Sequence, residues 1–397
     1  MIGPVLPTKA GAFRDFGARN AHFAVRASQR IDWPLFIAAA TIAVMGVVNL
    51  YSATSVYFGT TRGGLAEIYI NQVYWLAIGV AVGAGVASID YRHIERYAYV
   101  IYTAGIIALA LVFVLARDVR GASRWINIGS FSFQPSEFMK PCLIVALGKY
   151  LHDDPNSEPR TLRDLWGPAL LTAIPALLVA KQPDLGTAVM MCLLFASIMA
   201  ITRINRKTLL GCALAAGIGG PILWNFALPY QRARLTTFLN PAADITGTGY
   251  HAYHARIAIG NGGLFGNGYM KGMQNQYRFL PDQYTDFPFP VFAEEWGFVG
   301  ATVLILLYGF IVLWAIRIAS QARDRFGAVV SVGCGALIFW HAFINIGMVS
   351  GMLPVVGMPL PLFSYGGSSV LTITLSLALL MNVSMRRYAG FSALARR

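Results

Sequence analysis

The chain alternates long apolar runs with short polar connections. Ten runs, at about 33–51, 70–89, 97–116, 137–151, 165–180, 185–201, 209–228, 289–316, 329–349 and 369–385, are long enough to cross a bilayer, some of them with a tilt. The fourth and fifth are short and hold Pro141 and Pro175, and the sixth follows the fifth through only "KQPDL". The pattern predicts an all-α polytopic membrane protein of about ten transmembrane helices, with a large extracytoplasmic loop, 229–285, between spans seven and eight. A basic tail, 1–32, precedes the transmembrane domain of 33–387, and a short tail, 388–397, follows it.

Composition sharpens this picture. With 56% hydrophobic residues, 12% charged residues and a mean hydropathy of +0.56 over 397 residues, the chain is too apolar for a soluble core. The net charge of +13 is spread over many short connections, which points to topology control and anionic headgroups rather than nucleic acid. With a cytosolic N-terminus, 20 of the 31 Lys and Arg residues fall in inside segments and 10 in outside segments. Half of those ten lie in one long loop, which the positive-inside rule weights lightly, so both termini are expected in the cytosol. The first 32 residues carry five basic residues and no apolar core, which fits a cytosolic tail and not a cleaved leader. Cys142, Cys192, Cys212 and Cys334 all fall in apolar runs without a C-x-x-C pair, so they are expected to be packing residues.

The polar motifs then cluster on the outer side. Asp286, Glu294 and Glu295 crowd the entry to the eighth run, although a carboxylate at a helix centre costs about 2.5 to 3.5 kcal/mol in a bilayer. Asp286 stands just ahead of Pro288 and Pro290, so capping a helix start and facing a substrate are both open to it. Arg124 and Trp125 in the second outer loop fit phosphate and a sugar or isoprenoid, or else interfacial anchoring. Glu137 and Lys140, three residues apart, share a helix face and suit an ion pair. Lys181 and Asp184 sit in the tight turn between the fifth and sixth runs, where Asp184 is placed to cap the next helix. Ser368 belongs to "GMPLPLFSYGGSS", an irregular stretch tolerated at membrane depth only where it is buried in protein or lines a wet cavity. His341 and Asn345 suit interhelical hydrogen bonds. His251 and His254 lack a HExxH pattern, and Gly79-x-x-x-Gly83 signals close helix packing. "HARIAIGNGGLFGNG" is expected to be an interfacial helix that breaks into a glycine-rich turn.

The motifs "FQPSEFMK", "KQPDLGTA", "NPAADITGTGYH", "AIGNGGLFGNG", "FLPDQYTDF", "AEEWGFVG" and "GMPLPLFSYGGSS" occur in the order seen in the SEDS family of bacterial cell-wall proteins. The resemblance spans about 33–387 and is closer to the elongation member than to its division relative. It implies a ten-span peptidoglycan glycosyltransferase of the bacterial inner membrane that polymerises lipid II with a class B penicillin-binding protein and other elongation proteins. The family's essential acid then corresponds to Asp286, and the tryptophan of its first large outer loop to Trp125. Forming a β-1,4 bond from an α-linked sugar pyrophosphate inverts the anomeric carbon, which calls for one base and for cations at the leaving group. Asp286 fits the base. Arg124, Trp125, Lys140, Glu137, Lys181, Asp184, Glu295 and Ser368 are the candidates for holding substrate, and a divalent cation, Mg or Mn, could bridge the pyrophosphate. A lipid-linked precursor flippase and a non-catalytic scaffold for the penicillin-binding protein are the alternatives.

Overall fold

A computed structural model describes residues 31–56, 67–115, 124–128, 131–154, 159–226, 229–239, 249–277, 279–280 and 283–387. The tails 1–30 and 388–397, the loop arginines Arg117 and Arg120, and Arg278 lie outside the described residues. The helices are α1 Trp33–Ser55, α2 Ile68–Ser88, α3 Tyr91–Arg96, α4 Ala98–Leu115, α5 Pro135–Asp153, α6 Trp166–Lys181 and α7 Leu185–Ala200. They continue with α8 Arg206–Phe226, α9 Pro229–Leu239, α10 Tyr250–Asn261, α11 Met273–Gln276, α12 Pro288–Ser320, α13 Arg325–Val349 and α14 Gly367–Arg386. A small antiparallel hairpin, β1 Ile126–Ile128 with β2 Phe131–Phe133, is a departure from the expected all-helical chain.

Each of the ten apolar runs falls in a helix. Among the described residues six helices, α1, α2, α4, α12, α13 and α14, are long and apolar enough to cross a membrane. The 16-residue α6 and α7 are shorter, and α5 and α8, though 19 and 21 residues long, also fall outside that set, so six crossings are supported by length and composition. Pro141 and Pro175 do not end their helices, as expected where neighbouring helices re-satisfy the freed backbone groups.

The middle of the bundle is built on α5 and α13. Most residues of both are buried, α5 packing against α4, α13 and α14, and α13 against α12, α5, α7 and α14. Gly79 and Gly83 of α2 face Thr374 and Ala378 of α14, as the small-residue spacing predicts. At one end of the bundle Asp324 caps α13 through Gly327 N (2.7 Å) and accepts from the Tyr91 hydroxyl at 2.7 Å. Burial, and then the Asp324 carboxylate, push the Tyr91 phenol well above its ordinary pKa. At the same end Asp32 accepts from Trp314 Nε1 (2.9 Å) and Ser384 Oγ (2.5 Å), tying α1 to α12 and α14.

At the opposite end α12 is broken. Gly297 has φ 67° and ψ −166°, so the helix is interrupted after Trp296. Carbonyls and amides freed by such a break need partners inside the protein, because lipid has none. The glycine-rich turn after α10 supplies them. Asn267 N and Gly268 N donate to the carbonyls of Glu294 (3.0 Å) and Glu295 (3.1 Å), while Phe298 N and Val299 N donate to the carbonyls of Gly263 (2.9 Å) and Leu264 (3.1 Å). The backbones approach so closely that a Cβ at Gly266 would sit 2.1 Å from Glu295 O, and one at Gly297 would sit 2.3 Å from Gly266 N. Thus "GNGGLFGNG" and "EEWGF" form one backbone-to-backbone joint.

Gly266→Ala is accordingly expected to lower the thermal midpoint of the detergent-purified protein and its folded yield, because neither backbone can retreat. Gly85→Ala, in helix α2 where nothing lies within 4 Å of the added methyl, is expected to leave the midpoint unchanged or to raise it.

Candidate functional site

The polar motifs meet at the end of the bundle where α12 is broken. Arg124 brings the hairpin loop onto the α6–α7 turn: its Nε donates to Gln182 O at 3.1 Å, its Nη2 to Pro183 O, and its Nη1 lies 3.9 Å from Asp184 Oδ1. Asp184 is the N-cap of α7, accepting from Thr187 N (3.2 Å) and Thr187 Oγ1 (2.9 Å), the role its place in the turn predicted. Ser368 joins the same cluster from the start of α14. Its hydroxyl accepts from Gln134 N (3.1 Å) and lies 3.3 Å from Ser132 O, while Gln134 Nε2 reaches Asp184 Oδ2 at 3.5 Å. Three connections distant in sequence are therefore held together, with Trp125 half-buried beside Arg124.

Asp286 lies in the turn immediately ahead of α12. The first helical residue is Pro288 and the N-cap position is Phe287, so Asp286 stands one residue ahead of the cap. Its half-buried carboxylate lies beside Gly357: a Cβ there would stand 3.3 Å from Asp286 Oδ2. Asn345 of α13 fixes this approach. Its Nδ2 donates to the carbonyls of Asp286 (3.0 Å) and Met358 (2.6 Å), clamping the turn to the Gly357 loop. Tyr365 N also donates to Tyr284 O at 2.8 Å.

Lys140 and Glu137 form the expected ion pair at 2.7 Å, but both are buried, Lys140 completely. Lys140 Nζ also lies 2.8 Å from His341 Nε2, and His341 Nδ1 lies 3.2 Å from Pro359 O. With the lysine donating to Nε2, the ring proton sits on Nδ1 and is donated to the carbonyl, so the imidazole is neutral. The chain Glu137–Lys140–His341–Pro359 thus runs from α5 through α13 to the loop that carries Gly357. In this arrangement Lys140 is a buried brace and presents no ammonium to a ligand.

Two other candidates take different places. Lys181 is exposed, with its neighbour Gln182 turned inward to donate to Leu109 O at 3.0 Å. Glu295 is buried and accepts from Ser52 Oγ of α1, and Glu294 accepts from Gln274 N at 3.2 Å. The acids of "AEEWG" hold the broken helix to α1 and α11, whereas Asp286 is the carboxylate of this stretch that borders the motif loops. Gln72, Gln283 and Asn49 complete the frame through Ser364 O (3.0 Å), Ala53 O (2.6 Å) and Pro288 O (3.0 Å). Sequence reading passed over these amides, although an amide inside an apolar run is itself a signal of an interior partner.

Lys140→Met leaves Glu137 buried without its counter-charge and is expected to cost about 3–5 kcal/mol, read as a lower thermal midpoint. Adding Glu137→Gln to Lys140→Met should recover at least half of that loss.

Known proteins share this sequence pattern and this fold. The family model covering FtsW, RodA and SpoVE, described as cell cycle protein, matches residues 32–389. The peptidoglycan glycosyltransferase MrdB of Escherichia coli K12 is 38% identical over 351 residues, 87% of this chain and 93% of that protein. The peptidoglycan glycosyltransferase RodA of Treponema pallidum is 31% identical over 437 residues, 91% of this chain and 99% of its own length. Among solved structures, the rod shape determining protein RodA of Thermus thermophilus matches with a TM-score of 0.67 and 29% identity, over 90% of this chain and 98% of that one. A chain from a peptidoglycan synthase complex, described as coordinating polymerization and crosslinking, matches with a TM-score of 0.78 and 30% identity, over 90% and 99%. With its motifs in order, its fold shared and its whole helical domain matched, this chain belongs to the FtsW, RodA and SpoVE family of cell cycle proteins.

Proposed function

We infer that this protein is a peptidoglycan glycosyltransferase that polymerises lipid II in the bacterial inner membrane. It crosses the bilayer ten times, with both termini in the cytosol and the 229–285 connection outside. What carries the chemical part of this reading is the half-buried Asp286 carboxylate beside Gly357, at the end of the bundle where the motif-bearing connections meet. The 38% identity to MrdB over most of both chains supports the reaction class, and the closeness to RodA relatives supports a role in elongation. The likeness to a chain of a peptidoglycan synthase complex supports work beside a crosslinking partner, a class B penicillin-binding protein.

In this reading Asp286 accepts the proton of the acceptor sugar's hydroxyl as that oxygen bonds to the anomeric carbon of the donor. The bond from that carbon to the lipid pyrophosphate breaks on the opposite face, and the pyrophosphate departs with the electron pair. Configuration inverts, and no covalent enzyme intermediate forms. Asn345 and Gly357 set the position of the Asp286 carboxylate. Arg124, held over the "QPD" turn, and Trp125 beside it meet the sugar pyrophosphate, with Asp184 and Ser368 keeping that wall in place. Lys140 and Glu137 brace the loop from below, Glu295 braces the broken helix, and Lys181 is exposed next to the Gln182 and Pro183 carbonyls that hold Arg124. Among the described residues no three His, Cys, Asp or Glu side chains converge as metal ligands. The donors at hand do not make a protein-built cation site, and no step here runs through one.

The test is polymerisation of lipid II by the purified protein, alone and with its class B partner. Asp286→Asn is expected to lower turnover by at least about a hundredfold, the scale of a lost general base, with an unchanged thermal midpoint. Near wild-type turnover in Asp286→Asn would sink the base assignment, and no chains from folded wild type with its partner would sink the reaction itself.

A further inference from the structure

A groove lies between α9, α10 and the turn that follows α13. Its walls include Arg234 and Phe238 of α9, Arg256 of α10, and Met348, Leu353 and Val355. Two arginines therefore line one cleft, and among the described residues no Asp or Glu lines it. Arg256 lies over Gly351, where an added Cβ would come within 3.0 Å of Arg256 Cδ and 3.2 Å of its Nε. Among the described residues its one hydrogen bond runs from Nε to Ala252 O at 3.2 Å. Its two terminal nitrogens are left for a ligand, and a guanidinium fork suits the paired oxygens of a phosphate or a carboxylate.

The opposite wall is apolar and belongs to the end of a membrane-spanning helix. Met348 is the penultimate residue of α13, and Leu353 folds back so that its backbone N donates to Gly347 O at 3.0 Å. A free phosphate has no use for that wall, whereas a phosphate carrying a hydrocarbon chain does. From Gly351 the chain runs only as far as Gly357 before it meets the Asp286 carboxylate. One short segment thus floors the groove at one end and borders the proposed base at the other.

We propose that this groove is a subsite for the phosphate of a polyprenyl-linked substrate or product, gripped by Arg256 and Arg234 with the first part of its chain along Met348, Leu353 and Val355. The proposal rests on the glycosyltransferase reading above and names a binding site within it, distinct from the Arg124 wall.

The test uses the full chain in lipid nanodiscs, with binding of a polyprenyl diphosphate followed by native mass spectrometry. Arg256→Gln and Arg234→Gln are each expected to weaken binding about tenfold, and Arg256→Lys by less, since it keeps the charge and loses the fork. Gly351→Ala should weaken it without changing any charge, by displacing the Arg256 side chain. Asp286→Asn should bind as wild type does. In lipid II polymerisation the two Arg→Gln variants should raise KM about tenfold and leave kcat within about twofold. Undiminished binding in the Arg256→Gln, Arg234→Gln double variant overturns the subsite. Displacement by inorganic pyrophosphate at equal concentration overturns the apolar half of the site, and displacement by phosphatidylglycerol shows a general anionic-lipid surface and overturns the substrate assignment. Wild type that binds the diphosphate and polymerises nothing leaves the subsite standing and removes the glycosyltransferase reading, so the two failures are separable.

Discussion

The constraint on which this structure depends is that backbone polar groups at the broken part of α12 have no water to turn to. An interruption at Gly297 frees carbonyls on one side and amides on the other, and the glycine-rich turn after α10 answers both sets in register. Everything at the functional end inherits its position from that joint. The short segment Pro288–Trp296 is set at its own angle, the turn carrying Asp286 precedes it directly, and Glu294 and Glu295 are spent on fastening it. A continuous helix would satisfy its own hydrogen bonds and would have no reason to hold the preceding turn anywhere in particular.

Around this joint the polar contacts follow one plan. Side-chain amides donate to backbone carbonyls far away in sequence, as Asn49, Gln72, Asn275, Gln283 and Asn345 all do. An amide provides two donors without a charge, which suits a low-dielectric interior where an ion costs far more to bury. The buried charge of Lys140 follows the complementary rule, being met by Glu137 and by a neutral imidazole. The scaffold thus combines neutral amides, the self-neutralised Lys140–Glu137 pair and carboxylates met by neutral donors, Asp32, Glu294 and Glu295.

Much of this was legible in the sequence because periodicity and membrane energetics leave few choices. The ten apolar runs all fall in helices, the Glu137–Lys140 pair follows from three-residue spacing, and Asp184 caps as its turn demands. The nearness of Asp286 and Glu295 in sequence, by contrast, says nothing of their divergence in space. The helical residues from Pro288 to Glu294 stand between them, so Glu295 meets Ser52 while Asp286 lies beside Gly357. Likewise Lys140 carries the same formal charge as Arg124, and only packing between α5 and α13 reveals that its ammonium is enclosed. The β1–β2 hairpin is too short, three residues a strand, for alternation to announce it. Contacts that join Asn345 to Asp286 or Gly357 to its carboxylate are long-range, and a local pattern carries no trace of them.

Helix α1 is fastened at both of its ends. Asp32 is bonded to Trp314 and Ser384, and some 20 residues later Asn49, Ser52 and Ala53 are bonded to Pro288, Glu295 and Gln283. A helix of 23 residues rising about 1.5 Å each is roughly 35 Å long, close to the span of a bilayer with part of its interfaces. Pinned in this way, it sets a fixed height between the two faces and denies the bundle the option of tilting this element alone to suit a thinner or thicker bilayer. The accommodation falls to the lipids, which must stretch or compress around the protein; the enzyme carries its own gauge of membrane thickness.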